Sequence, residues 1–264
     1  MQVGIPGQVA IVAGASGSIG SATVRALYAV GINVVLTALY DETLDTLANE
    51  AKRVGLRALV VPANLRRRSD IDLVVAKTLV TFSRIDILVN AAGIGASPSL
   101  CETTDGELEA VIDINLLGPA RLMQAVLPVM KAQRRGSIVN IGSIAGEAAV
   151  MGIYSASKFG LRGLSDTVRR EVRSYNIDVS LIQPGFVRSP MNAAHGDRLP
   201  GPEIVANAVI AAISKPRRKH VVPSVYRLPL FVAGAFPGLI DVVFGNARIQ
   251  DRLNRDARAE RATS

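Results

Sequence analysis

The chain has no tryptophan, and aromatic residues make up only 4% of its 264 positions. So few rings argue against a stacking platform for single-stranded nucleic acid. The single cysteine, Cys101, excludes an internal disulfide and fits a reducing compartment. With no histidine partner beside it, Cys101 reads as a small side chain rather than a nucleophile. No stretch of about twenty residues is free of both charge and proline, so no spanning helix is expected. The opening MQVGIPGQVAIVAG lacks the basic and long apolar regions of a signal peptide. The expected location is cytoplasmic, and no metal site is expected.

Hydrophobic residues are abundant at 49% and charged residues stand at 20%, the balance of a globular protein with a sizeable core. The formal charge of +8 permits contact with nucleic acid, an acidic membrane or a phosphate-rich cofactor, and equally describes a basic, solvated surface. Without a motif or aromatics to support it, nucleic acid is not expected as a partner.

Short runs rich in Val and Ile fall at 9–13, 34–37, 58–61, 85–89, 137–141, 179–182 and 221–222. They are apolar on both faces, as buried parallel strands are. Helical patterns lie between them, at 19–30, 42–54, 108–130, 154–175 and 202–213. Ser69 with Asp72, and Thr104 with Glu107, have the spacing of capping boxes. Pro119 and Pro128 predict a bend or break within 108–130. The alternation predicts an α/β fold in one domain: a doubly wound, mostly seven-stranded parallel sheet flanked by helices. Ligands of such sheets bind beyond the carboxyl ends of the strands.

Small and turn-forming residues follow four of the runs. The first is VAGASGSIG, with Gly14, Gly17 and Gly20 spaced three apart around Ser16, Ser18 and Ile19. Glycines there let the backbone approach a pyrophosphate, and the next helix N-terminus favours the anion. The others are Asn90-Ala91-Ala92-Gly93, Gly142-Ser143 and Pro184-Gly185. Tyr154 and Lys158 sit four apart on one helix face. They make either an ordinary exposed pair or a tuned phenol. An ammonium beside a phenol favours the phenolate, and bringing a pKa near 10 to neutrality takes about 4 kcal/mol. Such a phenol exchanges protons at physiological pH.

These features in this order, with Asn115, resemble the short-chain dehydrogenase/reductase family over about residues 7–223. The resemblance implies a Rossmann-like domain at 1–223 that is catalytically complete. It implies an oxidoreductase moving a hydride between NAD(P)(H) and a carbonyl or secondary alcohol. Tyr154 would be general acid in reduction and base in oxidation. Lys158 would lower its pKa and bond the nicotinamide ribose, Ser143 would orient and polarise the substrate oxygen, and Asn115 would hold a relay water. The cofactor would meet Gly14, Ser16, Gly17, Ser18, Ile19 and Gly20 at its pyrophosphate. Its adenosine would lie by Leu39, Asn64 and Leu65, and the strand-end residues Asn90, Ala91, Ala92 and Gly93 would line the crevice. Pro184, Gly185, Val187 and Ser189 would flank its nicotinamide. A homodimer or homotetramer through the long helices is also implied. A cofactor-binding sensor or scaffold of the same fold is the alternative reading.

The chain departs from the family pattern at several positions. Ala13 stands where the family has Thr, and Ser18 where it has the middle Gly. Ala38 replaces the Asp of NAD-preferring members, and Leu39 the Arg of NADP-preferring ones. With no carboxylate at 38 to repel a 2′-phosphate, and Arg66-Arg67-Arg68 nearby, NADP is favoured over NAD. Asn64 replaces the usual Asp, and its amide still donates and accepts. After Ser189, the polar, glycine-rich PMNAAHGDRLPGPE reads as a mobile lid, and His195 within it as solvent-facing. The segment 224–264 reads as an arm. Its apolar 228–244 is broken by Pro229 and Pro237, preceded by Arg217-Arg218-Lys219 and followed by Arg248, Arg252, Arg255, Arg258 and Arg261. It packs on its own subunit, a neighbour or a membrane surface, and a lipophilic substrate is expected in each case.

Overall fold

The computed structural model describes residues 7–96, 99–190, 192, 198–246 and 249. His195 and the arginines from 248 onward lie outside the described residues. Seven strands form one sheet: β1 (Val9–Ala13), β2 (Asn33–Thr37), β3 (Ala58–Val60), β4 (Ile87–Asn90), β5 (Gly136–Ile141), β6 (Ile177–Pro184) and β7 (Lys219–Val222). Their order is β3-β2-β1-β4-β5-β6-β7, and every pairing is parallel. The predicted runs fall on these seven strands. β1, β2 and β4 are almost wholly buried, as strands covered on both faces must be.

Alternate side chains of β1 enter two different cores. Val9, Ile11 and Ala13 join one with α3 (Arg68–Phe82), α5 (Gly118–Gln133) and α7 (Gly152–Glu171). Ala10 and Val12 join the other with α1 (Ser18–Ala29), α2 (Glu42–Arg53) and α8 (Glu203–Ser214). This is period-two geometry with helices on both faces. Strand order reverses between β1 and β4, which opens a crevice beyond their carboxyl ends. Register aligns those ends, pairing Ala13 with both Thr37 and Asn90, and Asn90 with Asn140.

Two local expectations are corrected. α3 begins at Arg68, so Ser69 falls inside the helix and donates to Asp70, while Asp72 pairs with Arg68 at 2.8 Å. The 69/72 capping box is therefore not formed, whereas the Thr104–Glu107 box caps α4 (Asp105–Ile112) in both directions. The break within 108–130 also falls elsewhere than the prolines predict. It is a π-helical turn, Asp113–Leu117. Pro119 follows the π turn directly in the continuing helix, and Pro128 is accommodated inside α5.

Among the described residues, Asp105–Gln133 is the one stretch long and apolar enough to cross a membrane by length and composition. It serves as a core element, burying Leu122, Met123, Val126 and Met130. After β7, α9 (Arg227–Ala235) packs on α6 (Ala145–Ala148), and α10 (Pro237–Phe244) packs on α9.

Candidate active site

The strand ends open onto a cleft of about 720 Å³. Its floor begins where backbone ladders run one residue past the strands. Gly14 N–H donates to Thr37 O at 2.7 Å, Ala91 N–H to Ala13 O at 2.9 Å, and Gly142 N–H to Ile182 O at 2.7 Å. Gly14 has φ +81°, and a Cβ there would stand 2.5 Å from Ala92 N. A Cβ on Gly20 would stand 1.9 Å from Gly14 O. Both positions therefore require glycine. Gly17 does not: its φ is −69°, and a Cβ would meet Gly14 O at an ordinary 3.5 Å. Ser18 starts α1 in regular helix, so the missing middle glycine costs nothing. The first turn of α1 has no acidic residue and no side-chain cap. Its free N–H groups and positive dipole end suit an anion.

Tyr154 and Lys158 come from the first turns of α7, and both are buried. The Lys158 ammonium lies 5.6 Å from the Tyr154 ring centroid and donates to Ile141 O at 3.1 Å. Burial depresses its pKa to about 8. Ser143 Oγ accepts from Ala145 N–H at 3.1 Å, and its hydroxyl also bonds the Tyr154 side chain. Burial pushes the Tyr154 phenol up, opposed by the Ser143 hydrogen bond. The expected lowering by Lys158 is thus not what dominates this arrangement: desolvation outweighs it. Raised above its ordinary value, the phenol is neutral at pH 7.

Asn115 is fully buried on the π-helical turn, a distortion frequent at functional sites. Its amide clamps one residue from both sides. Oδ1 accepts from Ile94 N–H at 2.9 Å, and Nδ2 donates to Ile94 O at 2.9 Å and to Ser157 Oγ at 3.1 Å. Ser157 Oγ in turn donates to Tyr154 O at 2.7 Å. A Cβ on Gly93 would come 3.3 Å from Asn115 Oδ1 and 3.4 Å from Lys158 Nζ, so Gly93 leaves room for both groups.

Of the sequence-predicted residues, Ser16, Gly17, Ser18, Ile19, Gly20, Ala91, Gly93, Ser143, Tyr154, Lys158, Pro184, Gly185, Val187 and Ser189 line this one cleft. Gly14, Asn90, Ala92 and Asn115 stand behind the lining. Asn90 donates to Asn140 Oδ1 at 2.7 Å, and Asn140 to Ser165 Oγ at 2.8 Å, which ties β4, β5 and α7 together under the cleft. Leu39 is exposed at the surface. Asn64 turns its Oδ1 back to accept from Arg66 N–H at 3.0 Å, and Leu65 packs against Gly118. Sequence reasoning missed Ile94, Glu107, Pro190 and Asn192, which also line the cleft, and the carbonyl of Ile141. Only a backbone atom of Ile141 takes part, so its residue type carries no signal.

Three charged side chains that follow β2 and β3 are engaged within the chain. Arg66 pairs with Asp113 at 3.0 Å, and Arg68 with Asp72 at 2.8 Å and with Gln124. Asp41 caps α2 by accepting from Thr43 N–H at 2.8 Å and also accepts from the hydroxyl of cleft-lining Ser16. Burial pushes its carboxyl up, but these hydrogen bonds outweigh that and hold it low.

A family model described as short chain dehydrogenase matches residues 8–199. A 3-oxoacyl-[acyl-carrier-protein] reductase of Synechocystis is 40% identical over 70% of this chain and 76% of that protein. An uncharacterised oxidoreductase of Staphylococcus haemolyticus is 31% identical over 81% of this chain and 94% of its own length. Among solved structures, the L-sorbose reductase of Gluconobacter frateurii with NADPH and L-sorbose superimposes with a TM-score of 0.78. It is 26% identical and covers 84% of this chain and 97% of its own. The sheet order, the cleft and these matches converge: the chain belongs to the short-chain dehydrogenase/reductase family, an oxidoreductase family of NAD(P)-binding, Rossmann-like fold.

Proposed function

We propose that the protein interconverts a carbonyl and a secondary alcohol, with Tyr154 as the group that moves the proton. The observation that carries this reading is the cluster of half-buried Ser143 with buried Tyr154 and Lys158, opening into the same cleft as the uncapped start of α1. The residues present fit a nicotinamide dinucleotide. Gly14 and Gly20 allow the backbone close to a pyrophosphate, the α1 N-terminus favours its charge, and Pro184, Gly185, Val187 and Ser189 wall the far end. When bound, the nicotinamide supplies or takes up the hydride.

In the reducing direction Tyr154 Oη gives its proton to the substrate oxygen and becomes phenolate. Ser143, held by Ala145 N–H, steadies that oxygen, and the Lys158 cation stabilises the phenolate. In the oxidising direction Tyr154 must first be phenolate. Its burial-raised pKa makes oxidation rise with pH, while reduction is retained at neutrality. Asn115 is a positioning residue: it fixes Ile94 in the lining and, through Ser157, the start of α7. The apolar lining by Ile94, Val187 and Pro190 supports a lipophilic substrate.

On the cofactor, the absent carboxylate at Ala38 favours NADP(H), while Arg66 and Arg68 are held by Asp113 and Asp72 and the Asp41 carboxylate accepts from Ser16. We keep NADP(H) as the favoured cofactor, with Asp41 as the side chain that opposes it. Parallel NADH and NADPH titrations, followed by turnover on a panel of apolar ketones, test the reading. Tyr154→Phe is expected to bind dinucleotide normally and lose turnover by about a hundred- to ten-thousand-fold. Normal turnover by Tyr154→Phe would end the mechanism, and dinucleotide binding without turnover by the wild type would favour the sensor reading.

A further inference from the structure

We propose that Glu147 is a positioning residue for the proposed reaction: it latches the turn that carries Ser143 to the helix that carries Tyr154 and Lys158. Glu147 stands on α6, just after Ser143, with its side chain 12% exposed. Its carboxylate holds three other elements. Oε1 accepts from Gln183 Nε2 on β6 at 2.9 Å and from Lys219 Nζ on β7 at 3.0 Å. Oε2 pairs with Arg162 Nη1 on α7 at 2.9 Å. Burial pushes the carboxyl up, but the hydrogen bonds from Gln183 and Lys219, with the charges of Lys219 and Arg162, outweigh it and keep the group low. Glu147 is therefore an anion at neutral pH, and every one of these partners donates to it.

The latch leads directly to the reacting groups. Ser143 is fixed to α6, since its Oγ accepts from Ala145 N–H at 3.1 Å and its carbonyl from Gly146 N–H at 3.0 Å. α6 is a single turn, Ala145–Ala148, too short to hold its place by its own hydrogen bonds. Arg162 stands one turn beyond Lys158 and also donates to Gly146 O at 3.4 Å. There α6 lies flush on α7: a Cβ on Gly146 would stand 2.9 Å from Lys158 O. Gln183 is buried, and its amide is turned so fully to Glu147 that Oε1 has no hydrogen-bond partner among the described residues. A buried acceptor is left unmet there, and the carboxylate keeps its donor.

The consequence of losing the latch follows from burial. Lys219 and Arg162 are 42% and 35% exposed, so they return to water, whereas Gln183 loses its acceptor in the interior. Ser143 then drifts from the substrate oxygen, and a misplacement of about 1 Å at a reacting centre costs about a hundredfold in rate. The glycine turn and the start of α1 share no bond with Glu147, so dinucleotide binding survives. The rate effect rests on the proposed activity; the latch itself does not.

The test compares full-length Glu147→Ala and Glu147→Gln with Asp166→Asn, which breaks the Asp166–Arg218 pair between α7 and the residue before β7. Turnover of an apolar ketone, NADPH titration and backbone hydrogen exchange at 142–148 are read for each. Glu147→Ala should lower kcat by about ten- to a hundredfold, with KM and NADPH affinity within about threefold of wild type. Its 142–148 amides should exchange about tenfold faster, with 18–29 unchanged. Glu147→Gln still offers Oε1 to Gln183 and should recover kcat to within about fivefold of wild type. Asp166→Asn should lower the melting temperature and leave kcat unchanged. Wild-type kcat or wild-type exchange in Glu147→Ala would overturn the inference, as would an equal fall in kcat in Asp166→Asn, which would make the loss one of stability alone. Lys219→Met, which removes a partly exposed donor, covers a Glu147→Ala chain that does not fold. It should lower kcat by about threefold and speed exchange at 142–148, and no change in either would overturn the latch. A wild type that turns over no ketone would end the proposed activity alone, because exchange is read without turnover and still decides the latch.

Discussion

At the residue scale, the proposed catalytic cluster holds two ionisable groups whose burial opposes their charge. Lys158 is the clearer case, its ammonium depressed from 10.5 to about 8. Between those values the unfolded chain holds a proton that the folded chain does not, so stability rises with pH across that window. Below pH 8 the burial penalty is present in full, about 3 kcal/mol. Lys158→Met removes it and loses the hydrogen bond to Ile141 O. The variant should be inactive yet more stable by about 1–3 kcal/mol at pH 7, and the gain should vanish towards pH 10.5. Urea unfolding at the two pH values measures this; no gain at pH 7 would show that the ammonium is well solvated. The Asp41 carboxylate makes a second prediction at this scale. Asp41→Ser should shift the NADPH-to-NADH affinity ratio towards NADPH by about fivefold, the worth of about 1 kcal/mol for one exposed charge near a phosphate. An unchanged ratio in paired titrations would place selectivity elsewhere. Tyr154 and Lys158 were legible because their spacing carries chemistry, Ser143 because it follows a strand end, and Asn115 only through the family resemblance. Their tuning was not, because it comes from burial by residues far away in sequence.

At the element scale, the glycine turn separates positions that need glycine from one that does not. Gly20→Ala puts a methyl group into the Gly14 carbonyl and should cost about 1–3 kcal/mol together with NADH affinity. Gly17→Ala meets no close atom and sits in ordinary extended backbone. Its melting temperature and NADH binding should stay close to the wild type, the smaller unfolded-state entropy offset by alanine's poorer capping of α1. Thermal melts and NADH titrations of the pair decide this, and equal damage from both would mean the turn is read wrongly. The strands were legible because burial on both faces leaves continuous Val and Ile runs. The break in the long helix was not, because it falls where Asn115 must reach Ile94, and nothing in the local propensity of Asp113–Leu117 announces a π turn. The failed box at 69/72 has a similar cause: Arg68 is drawn into the helix by partners on α3 and α5.

At the scale of the whole molecule, the doubly wound sheet was legible from the alternation of runs and helices, while the placement of the arm against the cleft was not. That contact passes through Tyr226 and Gly185, 41 positions apart, and no period in the sequence links them. The crossover between β1 and β4 has one more consequence, which concerns time. The turn at Gly14 is completed only when Ala92 lies beside it, and the far wall only when β6 pairs with β5. Closing such long loops precedes any reward from their contacts, so parallel sheets of this kind fold slowly. During synthesis the emerging chain therefore has no competent cleft until Gly185 has left the ribosome, and neither half of it would acquire one alone.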